Sequence, residues 1–132
     1  MAERLRVAVT GASSGIGREL ALVLSERGCA VVLAARRDEI LISLASECLE
    51  RGAAAAVPVP CDVTQPVHCE RISLALDDLG AGIAALVNNA GSAQFGPVAE
   101  FTYDDMKSLV DVNLLGTMFA TRAVLPSMLE RG

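Results

Sequence analysis

The chain has 132 residues, a size at which one hydrophobic core buries roughly two-thirds of the unfolded surface. Its residues are 52% hydrophobic, 20% charged and only 3% aromatic, which excludes a disordered chain and leaves Ala, Val, Leu and Ile to do the packing. The net charge of −5 excludes a broad basic face for nucleic acid or an anionic membrane, so phosphate recognition has to be local.

Leu5 to Val9 opens the chain as an apolar strand and runs directly into Thr10-Gly11-Ala12-Ser13-Ser14-Gly15-Ile16-Gly17. Gly15 to Arg27 follows with helical periodicity, Leu20, Val23 and Leu24 sharing a face, and Gly28 stops it. Ala30 to Ala34 is the second strand, Asp38 to Arg51 the second helix with Asp38 as its expected N-cap, and Gly52 its stop. Ala55 to Val59 and Ala84 to Val87 are the third and fourth strands, with a helix from Pro66 to Leu79 between them. After the turn Asn88-Asn89-Ala90-Gly91 and a loop to about Glu100, Tyr103 to Glu130 reads as one long helix.

Short apolar runs alternating with longer helical ones indicate a parallel sheet built from βαβ crossovers. Right-handed connections order its four strands 3-2-1-4, a Rossmann-type α/β fold with the fourth strand at one edge and its outer hydrogen bonds unused. No repeat, low-complexity tract or linker interrupts residues 1–132, which are expected to form a single domain. No hydrophobic leader precedes the first strand, and no uninterrupted apolar run approaches the ~18 residues of a membrane span, so a cytoplasmic location is expected.

Strand, glycine turn and helix in immediate succession form a phosphate-binding arrangement. Gly11 permits the turn, Gly15 lets backbone approach a pyrophosphate, Gly17 lets helix and strand pack closely, and the helix N-terminus offers free N–H groups. At the end of the second strand an acid would accept the ribose 2′-hydroxyl, but Ala35 stands there, followed by Arg36 and Arg37. A guanidinium binds a phosphate through two parallel bonds, so Arg36 and Arg37 favour NADP(H) over NAD(H).

The spacing Thr10, Gly11, Gly15, Gly17 resembles the T-G-x-x-x-G-x-G of the short-chain dehydrogenase/reductase family. Cys61-Asp62-Val63 is similar to that family's D-V element, Asn88 to Gly91 to its N-N-A-G turn, and Val112-Asn113 to its V-N element. The resemblance implies a dinucleotide held by Thr10, Gly11, Ser13, Ser14, Gly15, Ile16, Gly17, Asp62 at the adenine, Val63, Asn89, Ala90 and Gly91. It also implies that Asn113 belongs to the catalytic set and that the long helix packs at subunit interfaces, hence a homo-oligomer. The family's Ser and Tyr-x-x-x-Lys are expected after a fifth strand, beyond Gly132, so the chain reads as the N-terminal half of an oxidoreductase acting on a small carbonyl or alcohol. Alone it is expected to lack turnover. A non-catalytic dinucleotide-binding module, or one that completes its sheet by pairing through the fourth strand, is the alternative.

Tyr103 and Lys107 fit Tyr-x-x-x-Lys but precede Asn113 by about 15 Å of helix, so Tyr103 is expected to pack at the helix start and Lys107 to be solvated. Ser92 is expected to be a loop hydrogen-bonder and His68 a surface residue. The four cysteines lack metal or disulfide spacing, so they are expected to be reduced and structural, with no metal site.

Overall fold

The computed structural model describes residues 3–132. Four parallel strands, β1 (Leu5–Thr10), β2 (Ala30–Ala35), β3 (Ala55–Pro60) and β4 (Ile83–Val87), form one sheet in the order β3-β2-β1-β4. Arg6 lies beside Ala30 and Ala84, and Val31 beside Ala56, so registers are fixed on both sides of the two central strands. β3 carries Pro58 and Pro60, which an edge strand tolerates because its outer N–H groups have no ladder partner.

Helices α1 (Gly15–Glu26), α2 (Asp38–Glu50) and α3 (Pro66–Asp78) are the crossovers. A long helical segment follows as α4 (Tyr103–Val110), a single wide turn at Asp111–Leu115 and α5 (Gly116–Arg131). Because successive strand residues face opposite ways, β2 supplies both cores: Val31, Leu33 and Ala35 meet Ala21, Leu22, Leu41 and Leu44 from α1 and α2. Val32 and Ala34 meet Cys69, Ile72 and Leu76 of α3 with Ala120, Ala123 and Val124 of α5.

Three expectations change. The buried stripe of α1 is Gly17, Ala21, Leu22 and Ser25, while Val23 is exposed, because close approach to the strand selects the small residues. Asp38 is not the N-cap of α2: Arg37, extended at φ −96° and ψ 106°, takes that place, and Asp38 and Glu39 sit in the first turn, where their charges face the positive helix end. Tyr103 does not pack; it is 90% exposed, because Thr102 caps α4 by itself through a reciprocal pair of bonds with Asp105.

The helical segment Tyr103–Arg131, 29 residues long, is apolar enough by length and composition to cross a bilayer, although no uninterrupted apolar run in it is. Its inner face packs through Gly116, Ala120, Ala123 and Val124, and its outer face leaves Val110, Leu114, Met118, Leu125 and Leu129 exposed.

Arg6 is fully buried within an otherwise apolar β1. Its guanidinium donates to the carbonyls of Leu76 at 2.6 Å and Gly82 at 2.5 Å, tying the end of α3 to the start of β4, and its Nε has no hydrogen-bond partner among the described residues. Burial lowers its pKa from the ordinary arginine value, with Arg131 adding to the effect.

Candidate functional site

Everything that converges on the C-terminal ends of the strands does so around Thr10. Its hydroxyl donates to Val87 O at 3.4 Å and accepts the N–H groups of Asn89 and Ala90, each at 3.0 Å. Asn89 answers with its side chain, Nδ2 donating to the carbonyls of Thr10 and Gly11 at 3.1 Å each. The glycine loop after β1 and the turn after β4 are thereby one unit.

The approach is too close for side chains. Gly11 has φ +63°, and a Cβ there would stand 2.9 Å from Ala90 Cα; a Cβ on Gly17 would stand 2.5 Å from the Gly11 carbonyl oxygen. Ser14, at φ −157°, occupies the N-cap of α1 without a side-chain capping bond, so the hydroxyl does not occupy the helix's free N–H groups. That leaves donors and a positive helix end available to an anion.

In front of this unit lies an open cleft of about 350 Å³. Of the residues singled out in the sequence, Gly11, Ser13, Ser14, Arg36, Arg37, Asp62, Val63, Asn89, Ala90 and Gly91 line it. Thr10, Gly15, Ile16, Gly17 and Asn113 do not: Thr10 and Gly17 are buried behind the loop, and the Ile16 side chain is 81% exposed. Ala35, Cys61, Ser92, Ser108 and Val112 complete the wall. Ser108 was not foreseen, and Val112 was read only as part of the V-N element; their four-residue spacing, which puts both on one helix face, was the available signal.

At the far end, Asp62 Oδ1 accepts from the Thr64 amide at 3.0 Å and the Thr64 hydroxyl at 2.7 Å. Burial pushes the Asp62 carboxyl up, but these bonds, with Arg36 and His68 nearby, hold it below its ordinary value. Arg36 and Asp62 both line the cleft, close enough for the guanidinium to act on the carboxylate. His68 is not a plain surface residue: it is half-buried and its Nδ1 accepts the Asp62 N–H at 3.1 Å.

Asn113 sits behind the opposite end. Its Nδ2 donates to Ser92 O at 2.8 Å and to Leu109 O at 2.9 Å, and its Oδ1 accepts from the Ser92 N–H at 3.1 Å. Leu109 O is the carbonyl that the Asn113 backbone N–H would bond in a regular helix, and the side chain claiming it accompanies the wide turn. Ser92 is the loop hydrogen-bonder expected of it, through its backbone. Lys107, exposed, pairs with Asp111 one turn along.

A family model described as short chain dehydrogenase matches residues 6–132. The chain belongs to that family. Among its relatives, Dehydrogenase/reductase SDR family member 7 of Mus musculus is 41% identical over 126 residues, 93% of this chain and 37% of that protein. An alcohol dehydrogenase from the archaeon Thermococcus sibiricus, complexed with 5-hydroxy-NADP, superposes with a TM-score of 0.87 at 30% identity, over 97% of this chain and 55% of the other. A 3-oxoacyl-[acyl-carrier protein] reductase from Brucella melitensis with bound NAD gives 0.83 at 34% identity, over 98% and 50%. The chain spans about half the length, or less, of the curated relatives it matches.

Proposed function

We propose that this chain holds NADP(H) in the cleft, as the cofactor-binding part of an oxidoreductase that reduces a small carbonyl compound or oxidises the corresponding alcohol. The observation that carries the cofactor choice is the end of β2. Ala35 lines the cleft where a carboxylate would bind a 2′-hydroxyl and repel a 2′-phosphate, and Arg36 follows it, lining the same cleft as Asp62, with its positive charge felt by that carboxylate.

The residues present fit a dinucleotide. Gly11 and Gly17 let the loop close against the Asn89 turn, Gly15 leaves its backbone open where a Cβ would stand, the uncapped N-terminus of α1 offers free N–H groups to a pyrophosphate, Asp62 offers an acceptor to an adenine, and Arg36 with Arg37 offers forked donors to a 2′-phosphate. When bound, the nicotinamide would donate a hydride to a carbonyl or accept one from an alcohol. This chain's own part is to orient the ring through Asn89 to Gly91 and to hold Asn113 and Ser92 in fixed relation beside it. The Tyr103–Lys107 pair takes no part, because Tyr103 stands in solvent and Lys107 is bound to Asp111.

The exposed Val110, Leu114, Met118, Leu125 and Leu129 on one side of the long helix support a homo-oligomer. The cofactor assignment is tested by titrating NADPH and NADH into the wild-type chain and Arg36→Ala. NADPH is expected to bind more tightly to the wild type, and the variant to lose at least tenfold of that preference, the size of a charge-assisted phosphate contact. An unchanged affinity ratio would overturn the assignment to Arg36.

A further inference from the structure

The wall of the cleft at Asp62 is held by an imidazole. β3 ends at Pro60, and the next amide, Cys61, donates to Ala35 O at 2.8 Å, which continues the ladder onto β2. The chain then turns away, and the Asp62 N–H has no strand to bond. It donates instead to Nδ1 of His68 at 3.1 Å. The loop between closes on itself: Gln65 N–H donates to Asp62 O at 2.9 Å and His68 N–H to Gln65 O at 3.0 Å, with Pro66 starting α3. Thr64 takes up Oδ1 of Asp62, leaving Oδ2 without a hydrogen bond among the described residues.

We propose that His68 is a positioning residue for dinucleotide binding: its neutral imidazole accepts the Asp62 amide, and protonation of that imidazole releases Asp62 and weakens binding of the adenine end. This rests on the cofactor reading given under Proposed function. A neutral imidazole has one acceptor nitrogen, whereas both nitrogens of the protonated ring are donors. The Asp62 N–H and a protonated Nδ1 would then point at one another. The bond therefore survives only in the neutral ring, with the proton on Nε2. An imidazole changes charge between about pH 5 and 8, within the range a cell visits.

The other charged and titratable groups around this loop are Asp62 itself, Glu70 and Arg71 on α3, Arg36 after β2, and the Cys61 and Cys69 thiols. The arginines keep their charge throughout that range, the Asp62 carboxyl lies below it and burial pushes both thiols above it. The 2′-phosphate of NADP(H) does titrate near pH 6, so the experiment has to separate it from His68.

His68→Asn does so, because an amide oxygen replaces Nδ1 as acceptor and does not titrate. NADPH and NADH affinities are measured from pH 8 to pH 5.5 for the wild type, His68→Asn and His68→Leu. The wild type is expected to lose about two- to tenfold more affinity on acidification than His68→Asn, for both dinucleotides, the size of one hydrogen bond. His68→Leu should bind as weakly at pH 8 as the wild type does at pH 5.5 once the phosphate's own effect, taken from His68→Asn, is removed. In the unliganded chain, the Asp62 amide proton is expected to shift along the same titration curve as the His68 ring, followed by NMR. Parallel pH curves for the wild type and His68→Asn would overturn this inference alone. Failure of the wild-type chain to bind either dinucleotide at pH 8 would overturn the cofactor reading and this inference with it.

Discussion

Asn113 grips the backbone of Ser92 by both of its polar atoms, Nδ2 on the carbonyl at 2.8 Å and Oδ1 on the amide at 3.1 Å. The loop after β4 is exposed from Gly91 onward and has few other anchors, so this clamp sets where it leaves the sheet. The same Nδ2 holds Leu109 O across the wide turn, so loop and helix are fixed by one side chain. Asn113→Ala is expected to cost about 1–2 kcal/mol, two or three modest hydrogen bonds in a solvated setting, read as a lower urea midpoint. The Ser92 amide should exchange its proton faster in the variant. Unchanged exchange at Ser92 would contradict the clamp.

The two glycines inside the loop are expected to respond differently. A Cβ on Gly17 would overlap the Gly11 carbonyl oxygen, 2.5 Å away, and the Asn89 side-chain amide, neither of which moves without opening the loop. Gly17→Ala should therefore cost about 2–3 kcal/mol, as overpacking does, and abolish dinucleotide binding. Gly15 has φ +57° but nothing within 4 Å of a built Cβ, so Gly15→Ala should cost only the left-handed backbone, about 1 kcal/mol. Parallel denaturant titrations decide this, and a larger loss at position 15 would refute the packing argument.

Much of this was legible because local pattern and tertiary role coincide. The apolar runs at Val7–Val9 and Val31–Ala34 are buried on both faces, so they read as continuous rather than alternating, and the crossover rule then fixed the order of all four strands. The glycine loop was legible because backbone proximity demands particular residues, whereas Asp62 and the Asn89 turn were legible only through the family resemblance. Three things were not. The bond from Asp62 to His68 joins two residues through the shape of a loop, which spacing does not encode. Arg6 looks like a polar interruption of β1, and its acceptors lie 70 and 76 positions away, at the end of α3 and just before β4, where the sequence carries no signal for a buried cation. The wide turn at Asp111–Leu115 leaves the apolar pattern almost intact and shows only in which carbonyl a side chain claims.

Arg6 yields a stability prediction. Its guanidinium satisfies Leu76 O and Gly82 O together, and the geometry needs a fork. Arg6→Leu removes a buried charge but strands both carbonyls, and Arg6→Lys keeps a charge that reaches at most one of them. Both are expected to destabilise the chain by about 3 kcal/mol, with the leucine no better than the lysine. Urea unfolding measures the pair; a leucine variant as stable as the wild type would mean that the two carbonyls find other donors.

The final prediction concerns alkaline pH. Burial, reinforced by the adjacent Cys69 and by Asp62, pushes the Cys61 thiol up to about 12. An unfolded cysteine loses its proton near pH 8.5, so above that value the folded chain holds a proton that the unfolded chain has released. The sign follows: the contribution is fully present below about pH 8.5 and is lost as the pH rises toward 12. Wild-type stability should fall steadily over that interval. Cys61→Ala should start lower at pH 7.5, from lost packing against β3 and α3, and then decline more gently. Some decline remains, because burial raises Cys69 and Cys48 as well. Urea unfolding at pH 7.5, 9 and 10.5 measures both slopes, and equal slopes would show that Cys61 is not the group whose proton is retained.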